Sequence, residues 1–133
     1  MTIFFLEAFE YVNQSKTAEY EEMGASIDAA VKKTEPGMLV HVQTKVSETE
    51  TESVYRWLEV YKSYDDLLTH INSPELQAHT AAIEEKQIMS RPGTVVIYCD
   101  WSDEQKEPFS NAEENPVGSF TFSFAPLVNG YFL

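Results

Sequence analysis

Only one cysteine, Cys99, stands in this sequence, so neither an intramolecular disulfide framework nor a cysteine metal cluster can form. That fits a reducing compartment. Basic residues are scarce too: 9 Lys and Arg face 22 Asp and Glu, a formal net charge of −13. Such a field repels phosphate backbones and anionic lipid, which argues against nucleic acid or a membrane surface as a partner unless a cation intervenes. No segment approaches the roughly 20 apolar residues of a membrane span. The N-terminal "MTIFFLEAFEYV" has no basic lead and meets Glu7 early, unlike a secretion signal. A cytoplasmic protein is expected. There is no Gly-x-Gly-x-x-Gly, P-loop or nucleophile elbow, so nucleotide cofactors, phosphoryl transfer and triad hydrolysis lack sequence support. Internal repeats and low-complexity tracts are missing as well.

What is present is a core. Hydrophobic residues make up 43% and aromatic ones 13% of 133 residues, enough for one globular unit, residues 1–133, despite the charge. "TIFFLEAFEYV" is β-branched and aromatic and stops at the polar Asn13-Gln14-Ser15, which predicts a first strand. Ser15 then caps a helix with Tyr20, Met23, Ile27 and Val31 at helical spacing. "EPG", Glu35 to Gly37, ends it. "MLVHVQTKV" and "VYRWLEVYK" are two strands joined by the polar turn "SETETES", a hairpin. In the second, Val54, Arg56, Leu58 and Val60 share one face, and Tyr55, Trp57, Glu59 and Tyr61 the other.

Ser63 and Asp66 have capping-box spacing for a short helix over "YDDLLTHI". Ser73 caps the next helix with Pro74 at its first position, placing Leu76, His79 or Thr80, and Ile83 on one face. Arg91-Pro92-Gly93 reads as the closing turn, and "TVVIYCDW" as a strand in which Cys99 is a small buried hydrophobe. The order β-α-β-β-α-β predicts an α+β, ferredoxin-like antiparallel sheet with helices on one face. Residues 102–117, acidic and broken by proline, read as a surface loop ahead of an extra C-terminal strand "SFTFSF". The sheet face without helices carries large apolar side chains, which a second copy would cover, giving a homodimer through that face. The aromatic tail could reach that partner or add a strand at an edge.

Candidate chemistry gathers between Leu58 and His79. His70 stands at the edge of the apolar stripe with Asp66 one turn back to orient its ring, an arrangement suited to a general base. Glu59, between Trp57 and Tyr61 on an apolar strand face, must be paired or hold its proton; Arg56 points to the opposite face and is not its partner. His41, in "LVHVQ", is a third candidate. Tyr55, Trp57, Tyr61 and Tyr98 would supply a pocket wall able to stack on a planar ligand, with His79 beside it. His70 and His79 lie on two different helices, Glu75 and His79 read as an ordinary pair, and no His-x-x-x-His occurs, so no metal is expected.

"EPG" followed by "WLEVYKSYDDLLTHINSPELQAH" resembles the signature stretch of the antibiotic biosynthesis monooxygenase family, the dimeric α+β barrels. The matching positions are Glu59-Val60-Tyr61, His70, and Ser73 through Leu76. The resemblance covers about residues 3–100 and leaves out the acidic loop and aromatic tail. It implies a homodimer and a pocket between sheet and helices for a small hydrophobic or aromatic ligand. It also implies, among several activities, oxygenation of quinols or anthrones with no cofactor, in which Glu59 and His70 would be the catalytic pair. Haem-degrading relatives use an Asn on the first strand, which "TIFFLEAFEYV" lacks, and a Trp near the position of His70. Two other readings stay open: a non-catalytic dimeric module that binds a ligand or partner, and an isomerase using the same base.

Overall fold

A computed structural model describes residues 2–110 and 120–133. Strand β1 (Phe4–Asn13) alternates strictly, its even-numbered residues from Phe4 to Val12 buried and the odd ones half-buried. A single 3₁₀ turn, Gln14–Lys16, leads into α1 (Thr17–Thr34). Ser15 therefore lies inside the turn and does not cap the helix. The residue at the cap position of α1 is Lys16, which makes no side-chain cap bond; Thr17 Oγ1 donates to the carbonyl of Gln14 instead. Tyr20, Gly24, Ile27 and Val31 form the buried stripe of α1.

Strands β2 (Met38–Glu48) and β3 (Glu52–Tyr61) make the expected antiparallel hairpin, and Ser53, Tyr55, Trp57, Glu59 and Tyr61 are buried. Helix α2 (Tyr64–Ile71) starts from Ser63, whose Oγ accepts from the Asp66 amide and donates to Asp66 Oδ2. The Asp66 carboxylate also lies where a side chain on Gly37 would be, so this corner requires glycine there. Helix α3 (Pro74–Glu85) is capped by Ser73, with Pro74 at its start. It closes through Gln87, a non-glycine residue at φ 54°, with the Ile88 amide bonded back to Ile83.

Strand β4 (Met89–Tyr98) begins earlier than the sequence suggests. Arg91-Pro92-Gly93 is thus part of the strand and not the helix-closing turn. Its register against β1 shifts between Phe9 and Tyr11, and a bulge of this kind accommodates a proline that cannot donate to the ladder. Residues 103–110 correct the loop reading: they form helix α4 (Asp103–Ser110), with Pro108 inside it and Phe109 buried. Ser102 and Gln105 cap it reciprocally, each accepting from the other's amide. Residues 111–117 of the expected loop lie outside the described residues, as does Ser119 of the expected strand. β5 (Phe120–Ala125) pairs parallel to β4.

The five-stranded sheet runs β2-β3-β1-β4-β5, the ferredoxin-like α+β order extended by one edge strand. The main cluster joins Phe4, Leu6, Trp57, Tyr61, Leu67, Ile97 and Trp101 with Phe109, and Phe120, Phe122 and Phe124 pack against it. A smaller cluster holds Val12, Tyr20, Tyr55 and Ile88. Cys99 is buried and unpaired in the main cluster. On the opposite sheet face Phe5 stacks on Tyr98 and meets Phe132 of the tail, while Leu39, Val42 and Val46 of edge strand β2 are exposed. Among the described residues no helix is long and apolar enough to cross a membrane.

Candidate functional site

Between the sheet and α1, α2 and α3 lies a cavity of about 650 Å³. Leu6, Ala8, Ile27, Leu67, Ile71 and Val95 give it apolar walls, and α4 and β5 add Phe109, Phe120 and Phe122. All three histidines of the chain, His41, His70 and His79, border it, together with Glu10 and Glu59.

His70 is delivered by the last turn of α2, which the cap at Ser63 starts in register. Its Nδ1 lies 2.8 Å from Glu35 Oε1, and its Nε2 lies 3.8 Å from Glu59 Oε1. Both side chains of the first pair are almost wholly enclosed, 6% and 5% exposed. The partner that orients the ring is therefore Glu35, at the junction of α1 and β2, and not Asp66, which is engaged in its cap. An ionised carboxylate only accepts, so the His70 Nδ1 carries a proton. Burial opposes charge on this ring, but the Glu35 hydrogen bond and the charges of Glu59 and Glu35 outweigh it, and the pKa is raised.

Glu59 accepts a short hydrogen bond from the Tyr61 hydroxyl. Burial, and then the Glu59 charge, hold that phenol well above its ordinary pKa. Tyr61 is thus a support behind Glu59, stacked on Phe4 at 5.2 Å. Directly opposite Glu59 in the hairpin stands His41, whose Nδ1 is 3.0 Å from Asp28 Oδ1 of α1 and whose ring stacks on Trp57 at 4.3 Å. His79, on α3, is pushed down to about 4 by burial, reinforced by the nearby His41 and His70. It is a neutral imidazole at pH 7.

A second polar centre lies along the same wall. Glu10 is 5% exposed and accepts from Tyr20 Oη at 2.8 Å, and Tyr20 in turn accepts from Trp57 Nε1 at 3.3 Å. Burial, only partly offset by these bonds, raises the Glu10 carboxyl to about 7.

Of the residues singled out from sequence, the fold brings His41, Trp57, Glu59, His70 and His79 to the cavity, with Tyr61 immediately behind. It does not bring Tyr55 or Tyr98. Tyr55 lies in the smaller cluster and donates to Glu21. Tyr98 is on the face away from the helices, donating to Glu7 Oε1 at 2.8 Å. As expected, Arg56 turns away from Glu59, and it pairs with Glu7. Asn13, placed beyond the strand by the sequence reading, is the last residue of β1, and its amide nitrogen donates to Gln87 and Met89 carbonyls. Sequence reasoning missed Glu10, Glu35 and Asp28.

The class these features define is a ferredoxin-like α+β domain with a largely apolar cavity between sheet and helices and an imidazole–carboxylate centre in its wall. A solved protein from Caulobacter crescentus, described among the antibiotic biosynthesis monooxygenases, is 30% identical, with 76% of this chain and 91% of that one covered at a TM-score of 0.66. The chain belongs to the antibiotic biosynthesis monooxygenase family. A counterpart of the same description from Nitrosomonas europaea is 18% identical over 76% of this chain and 92% of its own, TM-score 0.65. A conserved protein from Methanosarcina mazei is 20% identical over 74% and 92%, TM-score 0.63. These two share the fold. No protein-family model and no curated protein matches the sequence.

Proposed function

We propose that this protein is a monooxygenase acting, without a cofactor, on a small aromatic substrate of the quinol, naphthol or anthrone kind held between sheet and helices. The observation that carries this reading is the placement of His70 at the wall of an apolar cavity, with Nδ1 fixed by Glu35 and Nε2 turned toward Glu59. In its neutral form the ring takes a phenolic proton at Nε2, and Glu35 and Glu59 stabilise the imidazolium that forms. The phenolate spreads its charge onto a ring carbon, which gives its electrons to oxygen. One oxygen atom enters the ring as a carbonyl, and the other leaves as water with the two hydrogens the substrate has lost. Trp57 and the flanking apolar side chains hold the ring and keep water from the anion.

The test is oxygen uptake by chelator-treated, haem-free protein against quinols, naphthols and anthrones. His70→Ala is expected to lower turnover at least 100-fold, in the usual range for a general base, and Glu59→Gln at least 10-fold. Uptake that both variants retain would overturn the assignment. Turnover that continues without oxygen would mark isomerisation by the same base. The half-buried apolar face of the sheet, with exposed Leu39, Val42 and Val46 at its edge, supports a homodimer through that face, which sedimentation of the full chain would test.

A further inference from the structure

We infer that His41, Glu59 and His70 form a site for a divalent first-row transition ion, with two imidazoles and one carboxylate as ligands. One ligand atom from each of the three lies within 4.8 Å of the other two. They come from separate elements, β2, β3 and α2, and the ladder sets His41 directly across from Glu59. Proximity alone would be weak, because acidic and imidazole groups often gather without an ion. The decisive feature is what lies behind the two rings.

Each histidine has its Nδ1 on a carboxylate, His41 on Asp28 at 3.0 Å and His70 on Glu35 at 2.8 Å. Because an ionised carboxylate can only accept, both Nδ1 atoms carry protons. In the neutral rings the lone pairs therefore sit on the two Nε2 atoms. This arrangement, ligand nitrogen on one side and a carboxylate fixing the other, is the usual setting of metal-bound histidine. Trp57 stacked on His41 further fixes that ring. The His70 Nε2 to Glu59 Oε1 separation of 3.8 Å is too long for a hydrogen bond. It is close to the span of about 3.3 Å between neighbouring ligands of a tetrahedral ion with bonds of about 2 Å.

Three protein ligands leave at least one coordination position toward the cavity, the arrangement of sites that bind water or a substrate oxygen. His41 and Asp28 both lie outside the Leu58–His79 stretch, so the site is assembled by tertiary contacts of this chain. An ion there would occupy the lone pair on His70 that the oxygenase reading assigns to a proton. The loaded and metal-free proteins are then two alternative states of one centre, and the inference does not rest on the reaction proposed above.

The experiment is titration of the chelator-treated full-length protein with Co(II), read by visible d–d absorption and by calorimetry, followed by displacement with Zn(II). One ion per chain is expected. His41→Ala and Glu59→Gln should each weaken binding at least 10-fold. Asp28→Asn should weaken it 10- to 100-fold without touching the ion, as loss of a group that orients a ligand does. Asp28 is half exposed on α1, so this variant keeps the fold and the test survives even if the His41 variant does not. Absence of saturable one-to-one uptake, or equal affinity in Asp28→Asn and wild type, would overturn the site. The readout involves no substrate, so this failure and failure of the oxygenase reading are separately visible.

Discussion

Two buried carboxylate centres share one cavity wall and solve the cost of burial in opposite ways. At the His70 end, Glu35 and Glu59 flank an imidazole, and their charges lift its pKa against the pull of burial. At the Tyr20 end, Glu10 has only neutral donors, a phenol and, through it, an indole, and its own pKa rises to about 7. Buried acids next to a group that can become cationic raise that group's pKa and so strengthen it as a base. A buried acid next to a hydroxyl tends to keep its proton and becomes a donor. The same residue type thus gives the cavity one end that attracts protons and one that can donate them.

The largest expected effect comes from breaking the charged centre. Glu35→Ala leaves His70 buried without the carboxylate that fixes it and should cost about 3 to 5 kcal/mol, the usual range for breaking a buried pair, measured by urea unfolding. It should also lower the pKa of His70, followed by NMR titration, because burial would then meet less opposition. In the wild type a raised histidine pKa stabilises the fold fully below about 6.5, the unfolded value, and that share is lost as pH rises through the higher folded value. Glu35→Ala should flatten this dependence.

The neutral centre should break next. Between pH 4.5 and about 7 the folded state holds a proton on Glu10 that the unfolded chain has released, so stability falls with pH across that window. The loss is about 3 kcal/mol at 1.36 kcal/mol per pKa unit. Glu10→Gln keeps an acceptor for Tyr20 and removes the titration, so its melting temperature should exceed that of wild type at pH 8 and match it at pH 5. His79 sharpens the contrast with the opposite sign. Its depressed pKa, about 4, gives stability present above about 6.5 and lost as pH falls toward 4, and His79→Gln should be less sensitive to acid in that range.

The smallest effect is at the rim. Gln87 adopts φ 54°, where a side chain costs roughly 1 kcal/mol, so Gln87→Gly should raise unfolding free energy by up to about 1 kcal/mol. Neither polar centre should change its titration in this variant.

Much of the frame was legible because it depends on local pattern. Alternation in "VYRWLEVY" assigned Glu59 inward and Arg56 outward, and Ser63 and Ser73 marked both helix starts. The same alternation through Phe4, Leu6 and Ala8 points Glu10 inward, a signal present but unused. Glu35 was hidden by its neighbours: in "EPG" it reads as part of a turn, and its contact with His70 is 35 residues distant. Asp28 to His41 joins a helix to a strand and leaves no periodic trace. At α4 two local signals conflict, Pro108 against the Ser102–Gln105 capping box, and the burial of Phe109 tips the balance toward helix. Pro92 misled in the same way, since a bulge in the register against β1 makes room for it inside a strand.

The parallel pairing of β5 with β4 has a consequence for the order of assembly. Strands β1 to β4 and the helices α1 to α3 emerge from the ribosome before α4 and β5, and every antiparallel pairing of the sheet lies among them. The Phe109, Phe120 and Phe122 side of the cavity is then hung last, onto a sheet already formed. Synthesis therefore lays down the His70 wall of the cavity before the flank that closes it.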